Sequence, residues 1–371
     1  MNAAYTSAAH KLRPACGASA NWKRLFDGIL LGTAVGDALG LPAENLSPRR
    51  IKRLWKNEWR MRFVFGRGMI SDDTEHTLMV AQAMLAHGDD VTSFQRALAW
   101  KFRWWFLALP AGVGLATARA CLKLWLGFPP SRSGVVSGGC GPAMRSAIIG
   151  AFFAEKPKER KEFVRASSRL THRGWQAETA ALAVAEIVAL IATDDQHALR
   201  NSEVVLMLRT LSGEVEWHKT LSHMEQALDA SESVAEFAHR LGLQNGVTGY
   251  SLHTVPIAIY AWMRHAANFR TAMTEALSCG GDTDTVGAIL GALCCASGGP
   301  ESIPSEWINR IWDWPRSVNF MRRLTNALAE QKHTAQTLGP VRYFWPGVIP
   351  RNILFLVVVL IHGLRRLTGV Y

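Results

Sequence analysis

Two short stretches carry the residues best suited to chemistry. In Cys279-Gly280-Gly281-Asp282-Thr283-Asp284-Thr285-Val286-Gly287, two glycines permit a tight turn, and carboxylates follow at Asp282 and Asp284 with a hydroxyl next to the second, at Thr285. The turn runs into an apolar stretch, Val286 to Ala296, that reads as a buried helix. Three oxygen-bearing side chains at a loop-to-helix junction can converge on one hard cation. Helix capping explains one of the two carboxylates and leaves the other unexplained. Ser71-Asp72-Asp73-Thr74-Glu75-His76-Thr77 repeats the pattern ahead of an amphipathic helix marked by Leu78, Val80, Ala81, Met84 and Leu85. Alone, that segment reads as an N-cap whose acidic first turn favours the helix dipole. Two such sets in one chain point to a single site built from both.

Such a cluster has an electrostatic consequence. Two unit charges ~4 Å apart at an effective dielectric near 20 repel by about 4 kcal/mol. Several carboxylates in one site therefore raise their pKa values or enclose cations. Two divalent ions, ~3.5–4 Å apart in typical centres, would neutralise the set. Carboxylate, hydroxyl and water oxygens suit Mg²⁺ or Mn²⁺, whereas zinc favours His and Cys.

Helices must deliver these turns. Trp22 to Leu39 is apolar all round, as in a central buried helix, with Gly28, Gly32, Gly36 and Gly40 in a row that lets a neighbour approach closely. Asp37 in that setting needs a partner or a cation. Leu41-Pro42-Ala43-Glu44 then turns Glu44 out near the helix end. Ser137-Gly138-Gly139-Cys140-Gly141-Pro142 is a glycine-rich loop running into a helix, where backbone amides can meet an anion. Thr171-His172-Arg173 precedes another helix, and His172 by itself reads as a capping or hydrogen-bonded histidine. Helical periodicity continues over residues 93–109, 112–126, 142–154, 176–191, 203–211, 234–241, 255–265, 269–278, 306–312 and 318–331. Period-two strand alternation is almost absent. The expected fold class is all-α, a compact multi-helix domain with its site in loops at helix ends. Trp100, Trp104 and Trp105 share a helical segment and read as core or interface, not as a base-stacking platform.

A chain of 371 residues can bury a large core. Residues 1–21 read as a loose tail without the apolar core of a signal peptide, 22–335 as one domain, and 336–371 as an apolar extension packed on it. The net charge of +11 favours anionic partners. Basic residues crowd at Arg49, Arg50, Lys52 and Arg53, and again from Lys156 to Arg173. Neither cluster has a zinc-finger or ribonucleoprotein signature, so a solvated basic face accounts for them. Nucleic-acid binding would rest on charge alone and show a steep salt dependence. Six cysteines without a C-x-x-C pair suit reduced, buried thiols in a cytoplasmic protein, with Cys140 and Cys279 in packing roles. The apolar run from Ile353 to Ile361 lies between Arg351 and the Arg365-Arg366 pair. It is shorter than the ~20 residues of a spanning helix, so no transmembrane span is expected. A helix or strand tucked into the core is the primary reading, a basic-flanked interfacial segment the alternative.

Taken in order, these motifs resemble the ADP-ribosylglycohydrolase family over about residues 26–299. The matching elements are Gly36-Asp37-Ala38-Leu39-Gly40 with Glu44, Ser71-Asp72-Asp73-Thr74, Gly139 to Arg145, Thr171-His172, and Gly281-Asp282-Thr283-Asp284-Thr285-Val286-Gly287. The resemblance implies an all-α fold with two Mg²⁺ (or Mn²⁺) ions at the mouth of a cleft. It implies Ser71, Asp72, Asp73, Asp282, Asp284 and Thr285 as metal ligands, with Glu44 beside them as the acid/base residue and Asp73 as a second catalytic group. Asp37, Gly139, Gly141 and His172 are the implied contacts to ADP-ribose. The implied reaction is metal-assisted hydrolysis of an ADP-ribosyl bond through an oxocarbenium-like state, on a modified protein or a small ADP-ribose conjugate. The alternatives are a hydrolase of a free ADP-ribose derivative and a non-catalytic ADP-ribose binder or structural relative. The chain departs from the family pattern at Cys140, where Asn is usual, and at Arg173-Gly174-Trp175, where Asp-Pro follows the Thr-His pair.

Overall fold

The structure is a computed structural model that describes residues 18–56, 58–194 and 199–368. Among these, fourteen helices of eight residues or more form the architecture, with five isolated bridges and no strand. In chain order they are α1 (Ala18–Gly40), α2 (Pro48–Trp55), α3 (Asp72–His87), α4 (Val91–Leu107), α5 (Leu115–Trp125), α6 (Pro157–Thr171) and α7 (Trp175–Thr193). There follow α8 (Asn201–Arg209), α9 (Val215–Asp229), α10 (Ser251–His265), α11 (Phe269–Ser278), α12 (Thr283–Gly298), α13 (Val318–Thr334) and α14 (Val348–Thr368). The all-α expectation holds. The first seventeen residues of the expected tail, Cys16 among them, lie outside the described residues, and α1 begins at Ala18.

Most periodic stretches become helices with ends moved by a few residues, but α2, α6 and α9 lie outside those stretches. In α6 the apolar positions are diluted by charge. Phe163, Val164 and Leu170 are buried while Lys158, Lys161, Arg165 and Arg169 are exposed. One basic residue of that run turns inward: Arg160 is buried and donates to Glu186 at 2.6 Å.

The pairing of α1 with α12 organises the core. A Cβ at Gly28, Gly32, Gly36 or Gly40 would lie 2.6, 2.2, 1.9 or 2.2 Å from the carbonyl oxygens of Cys295, Gly291, Gly287 and Thr283. No real Cβ tolerates such contacts, so the glycine row is what brings backbone onto backbone. The pairs climb one helix as they descend the other, and the two helices run antiparallel. Asp37 near the end of α1 therefore comes beside Asp284 at the start of α12. Thr283 Oγ1 donates to the Gly40 carbonyl (2.8 Å) and ties the two ends together.

α14 crosses the outside of this body. Arg351 reaches Asp313, Glu75 and the Ile70 carbonyl, while Asn352 donates to the Ala108 carbonyl at 2.8 Å. Near its far end, the His362 ring meets the Pro42 carbonyl at 2.9 Å and Arg366 donates to the Glu44 carbonyl at 2.7 Å. Phe355 and Val358 are buried with Leu41, Phe63 and Met69. The length expectation is corrected here. The apolar helix extends from Trp345 to Arg366, 22 residues, which by length and composition could cross a bilayer. Counting Ile353 to Ile361 alone leaves out its aromatic start and its last turns. Asn21–Ala43 and Trp175–Thr193 also meet that measure, yet 94% and 72% of their most apolar stretch is buried inside the fold, against 39% for the C-terminal helix.

Candidate active site

Backbone clamps assemble the site at the α1–α12 end. Asn45 N donates to Gly281 O (2.7 Å), Gly281 N to Leu46 O (2.8 Å) and Asp282 N to Val247 O (2.8 Å). The loop that carries Glu44 is thereby fixed against the Gly280-Gly281-Asp282 turn. Gly281 has φ +80°, and a Cβ there would lie 1.8 Å from the Val247 oxygen. Only glycine fits this turn.

The second acidic segment comes from α3. Ser71 caps that helix, its Oγ accepting from Asp73 N (3.2 Å) and donating to Asp73 Oδ2 (3.2 Å). Asp37 is fully buried, and its Oδ2 accepts from Ser71 N (2.9 Å), Thr74 N (3.2 Å) and the Thr74 hydroxyl. The partner that a buried Asp37 demands is thus the Ser71 turn itself, and Asp37 braces that turn from behind. Thr285 Oγ1 donates to Asp73 Oδ2 (3.4 Å), joining α12 to α3. The structure therefore brings the two motifs into one place, with half-buried Glu44 on its rim.

Electrostatics follow from that crowding. Burial raises Asp37 to about 6. It pushes Asp72 well above the usual carboxylate range, with added repulsion from Asp37, Glu75 and Glu44. Asp73 is raised by burial and then by Asp72, Asp37 and Asp282. Asp284 is raised by burial, then by Glu44, Asp73 and Asp282. Burial followed by Asp282 lifts Glu44. At Asp282 burial is partly offset by hydrogen bonds to Oδ2 from Cys140 Sγ (3.3 Å) and Thr254 Oγ1 (3.1 Å). The Cys140 thiol is itself pushed well above its ordinary value by burial and by Asp282, so it stays protonated and serves as a donor.

Two observations bear on a metal. Asp73 Oδ1 and Asp284 Oδ1 are buried and accept no hydrogen bond, which a carboxylate oxygen tolerates poorly unless a cation meets it. The donor set is all oxygen, as Mg²⁺ or Mn²⁺ prefers. Against this, among the described residues no three His, Cys, Asp or Glu side chains converge as a closed ion cage. The residues fit an oxygen-ligated ion in kind, without a preformed cage.

The glycine loop and His172 form a second layer. A Cβ at Gly139 or Gly141 would lie 2.9 or 3.1 Å from atoms of the His172 ring, so the loop rests on that ring. His172 is buried, its Nδ1 is 2.9 Å from Thr171 Oγ1, and burial followed by the Arg145 charge lowers its pKa to about 3. The neutral ring sits under the loop, where it supports Gly139 and Gly141. Two loop amides are already engaged, Gly139 N with Ser137 Oγ (3.2 Å) and Cys140 N with Gly249 O (3.0 Å). Ser251 Oγ holds the loop from the other side, at 2.7 Å from Gly138 O and 2.9 Å from Gly139 O.

Sequence reasoning passed over Thr254, Ser251 and the role of Arg145. Arg145 is fully buried and spans Gly141 O (3.0 Å), Ser167 O (2.9 Å) and Thr171 Oγ1 (2.7 Å), which locks the loop to the end of α6. Its only signal in the sequence is its place at the end of the glycine motif. Thr254 and Ser251 carry none, because hydroxyls on an apolar helix are common.

Fold and site together define a class: an all-helical protein whose buried acidic centre is built at two helix entrances and edged by a glycine loop. The sequence profile described as ADP-ribosylglycohydrolase matches residues 18–337. The chain is 32% identical to an uncharacterized protein of Archaeoglobus fulgidus, over 82% of this chain and 96% of that one. It is 24% identical to the ADP-ribosyl-[dinitrogen reductase] glycohydrolase of Rhodospirillum rubrum, over 76% of this chain and 89% of that one. With ADP-ribosylhydrolase ARH3 of Gallus gallus the identity is 25%, over 76% and 87% of the two chains. A solved ADP-ribosylglycohydrolase-related protein complex shares the fold at TM-score 0.57 and 24% identity, covering 84% of this chain and 99% of that chain. The chain belongs to the ADP-ribosylglycohydrolase family. Family and relatives indicate ADP-ribosylglycohydrolase activity.

Proposed function

We propose that this chain removes ADP-ribose from a modified target with two Mg²⁺ or Mn²⁺ ions held between the entrances of α3 and α12. The observation that carries the reading is the pair of buried, unpartnered oxygens, Asp73 Oδ1 and Asp284 Oδ1, on helices joined by the Thr285–Asp73 hydrogen bond. Ser71, Asp72, Asp73, Asp282, Asp284 and Thr285 would hold the ions. When bound, these would neutralise the carboxylates and orient the ribose hydroxyls. Glu44 sits on the rim, half-buried, and its raised pKa suits a group that holds a proton for a leaving atom or takes one from water. Asp73, hydrogen-bonded to Ser71 and Thr285, would orient the attacking water. Cys140 and Thr254 hold Asp282 by its Oδ2, which would leave Oδ1 for an ion, and the His172-supported loop with Gly139 and Gly141 would line the ADP-ribose path.

Release of ADP-ribose from arginine-modified and serine-modified proteins, and from O-acetyl-ADP-ribose, tests the reaction and ranks the substrates. Glu44→Gln should lower turnover by about 10²–10⁴-fold with Mg²⁺ binding retained. Asp284→Ala should lose both turnover and calorimetric Mg²⁺ binding. Wild-type turnover in Asp284→Ala would end the metal reading, and ADP-ribose binding without hydrolysis of any of these substrates would favour a non-catalytic binder.

A further inference from the structure

α14 leaves a long apolar face uncovered. Ile353, Leu354, Leu356, Val357, Leu360 and Ile361 are each 44–59% exposed. The opposite side of the helix is fixed to the domain by Arg351, Asn352 and His362. Single exposed leucines are ordinary on a soluble surface, whereas six large aliphatics on one helix form a patch that something must cover.

The two ends of the helix differ in kind. Before it stand Trp314 and Phe344, 54% and 61% exposed, with ring centroids 5.8 Å apart, and Trp345 begins the turn that leads into it. At its far end, Arg60, Arg62, Arg310 and Arg365 share one cleft with Val358 and Ile361. Phe65 lines the same cleft and is 94% exposed. An apolar helix face, aromatic residues at one end and a cluster of arginines at the other is the composition of a helix that lies in a membrane interface.

We infer that α14 is an in-plane anchor to an anionic lipid bilayer, its outer face in the acyl boundary and the arginine cluster among the headgroups. Several observations select this occupant. A polynucleotide would engage the arginines and leave the apolar face in water. A second copy of the chain would cover the apolar face but carry the same +11 charge and the same arginine cleft to the contact, setting like charge against like. An anionic bilayer satisfies both, and the +11 net charge adds long-range attraction. A spanning arrangement is disfavoured because it would pull Arg351 from Asp313 and Glu75, stranding buried charges. His362 and Arg366 hold the carbonyls of Pro42 and Glu44, so the bilayer face backs directly onto the loop that carries Glu44.

Vesicle flotation of the full chain tests this without reference to turnover, so its outcome is separate from that of the catalytic proposal. Wild type should float with phosphatidylcholine vesicles containing phosphatidylglycerol. It should float roughly tenfold less with phosphatidylcholine alone or at high salt. The double substitution Ile353→Asp and Leu360→Asp should abolish flotation while the thermal melt stays as in wild type, since both positions are exposed. Arg60→Glu with Arg365→Glu should reduce partition to anionic vesicles alone. Quenching of tryptophan fluorescence by bromine-labelled acyl chains reads insertion with no substitution at all, and is expected for wild type. The inference is overturned if wild type stays unbound to anionic vesicles. It is equally overturned if flotation survives the double substitution, if light scattering finds a vesicle-free dimer that the substitutions split, or if a DNA duplex binds where vesicles do not.

Discussion

His172 has a role that the structure shows directly, the support of the glycine loop. Its ring lies under Gly139 and Gly141, and burial holds it neutral with a pKa lowered from an ordinary 6.5 to about 3. A histidine whose folded pKa is depressed stabilises the fold above its unfolded value, and that contribution is lost as pH falls through the interval between the two. The stability advantage of wild type over His172→Gln should therefore shrink between pH 6.5 and pH 4, with a slope of at most about 1.4 kcal/mol per pH unit for one proton. Denaturant melts across that range measure it, and a constant difference would show that the ring is not buried neutral. The sequence flagged His172 by its place after Thr171. It gave no sign that the imidazole faces the loop from below, because that depends on Arg145 and on the bridge between Val135 and His172.

Glycines decide the packing of α1 on α12. Gly36 is the tightest point, where a Cβ would lie 1.9 Å from Gly287 O. The neighbour is backbone in a buried helix and cannot swing aside. Gly36→Ala should destabilise by at least ~1–3 kcal/mol, the usual cost of overpacking a core, despite alanine's better helix propensity. Gly363→Ala in α14, where a Cβ would meet nothing within 4 Å, is the control and should be neutral or slightly stabilising. Urea midpoints for the two variants check the contrast. The glycine row is visible in sequence as a four-residue period, and its meaning survives intact. What the sequence hid at this scale is α6, whose buried Phe163 and Leu170 are masked by a basic run that includes an inward-facing Arg160.

Across the whole molecule, the proposed ions would join helices that are far apart in the chain. Asp73 and Thr285 are 212 positions apart yet share a hydrogen bond, so ligands on both sides cross-link α3 to α12 in the folded state alone. Mg²⁺ at a hundredfold excess over its dissociation constant should add about 2.7 kcal/mol per ion to stability. Chelation should reverse the gain, and Asp284→Ala should show little of it; thermal melts with and without Mg²⁺ read all three. The sequence by itself determined the helical class, the glycine row and the two acidic helix entrances. These are properties of local spacing and periodicity, which the chain carries at every point along its length. Only the tertiary structure decided that Asp37 braces the Ser71 turn, that Cys140 and Thr254 hold Asp282, and that α14 keeps one side on the domain and the other outside. Each of those depends on which distant surfaces meet, and hydrophobicity records that a side chain avoids water without recording what shelters it.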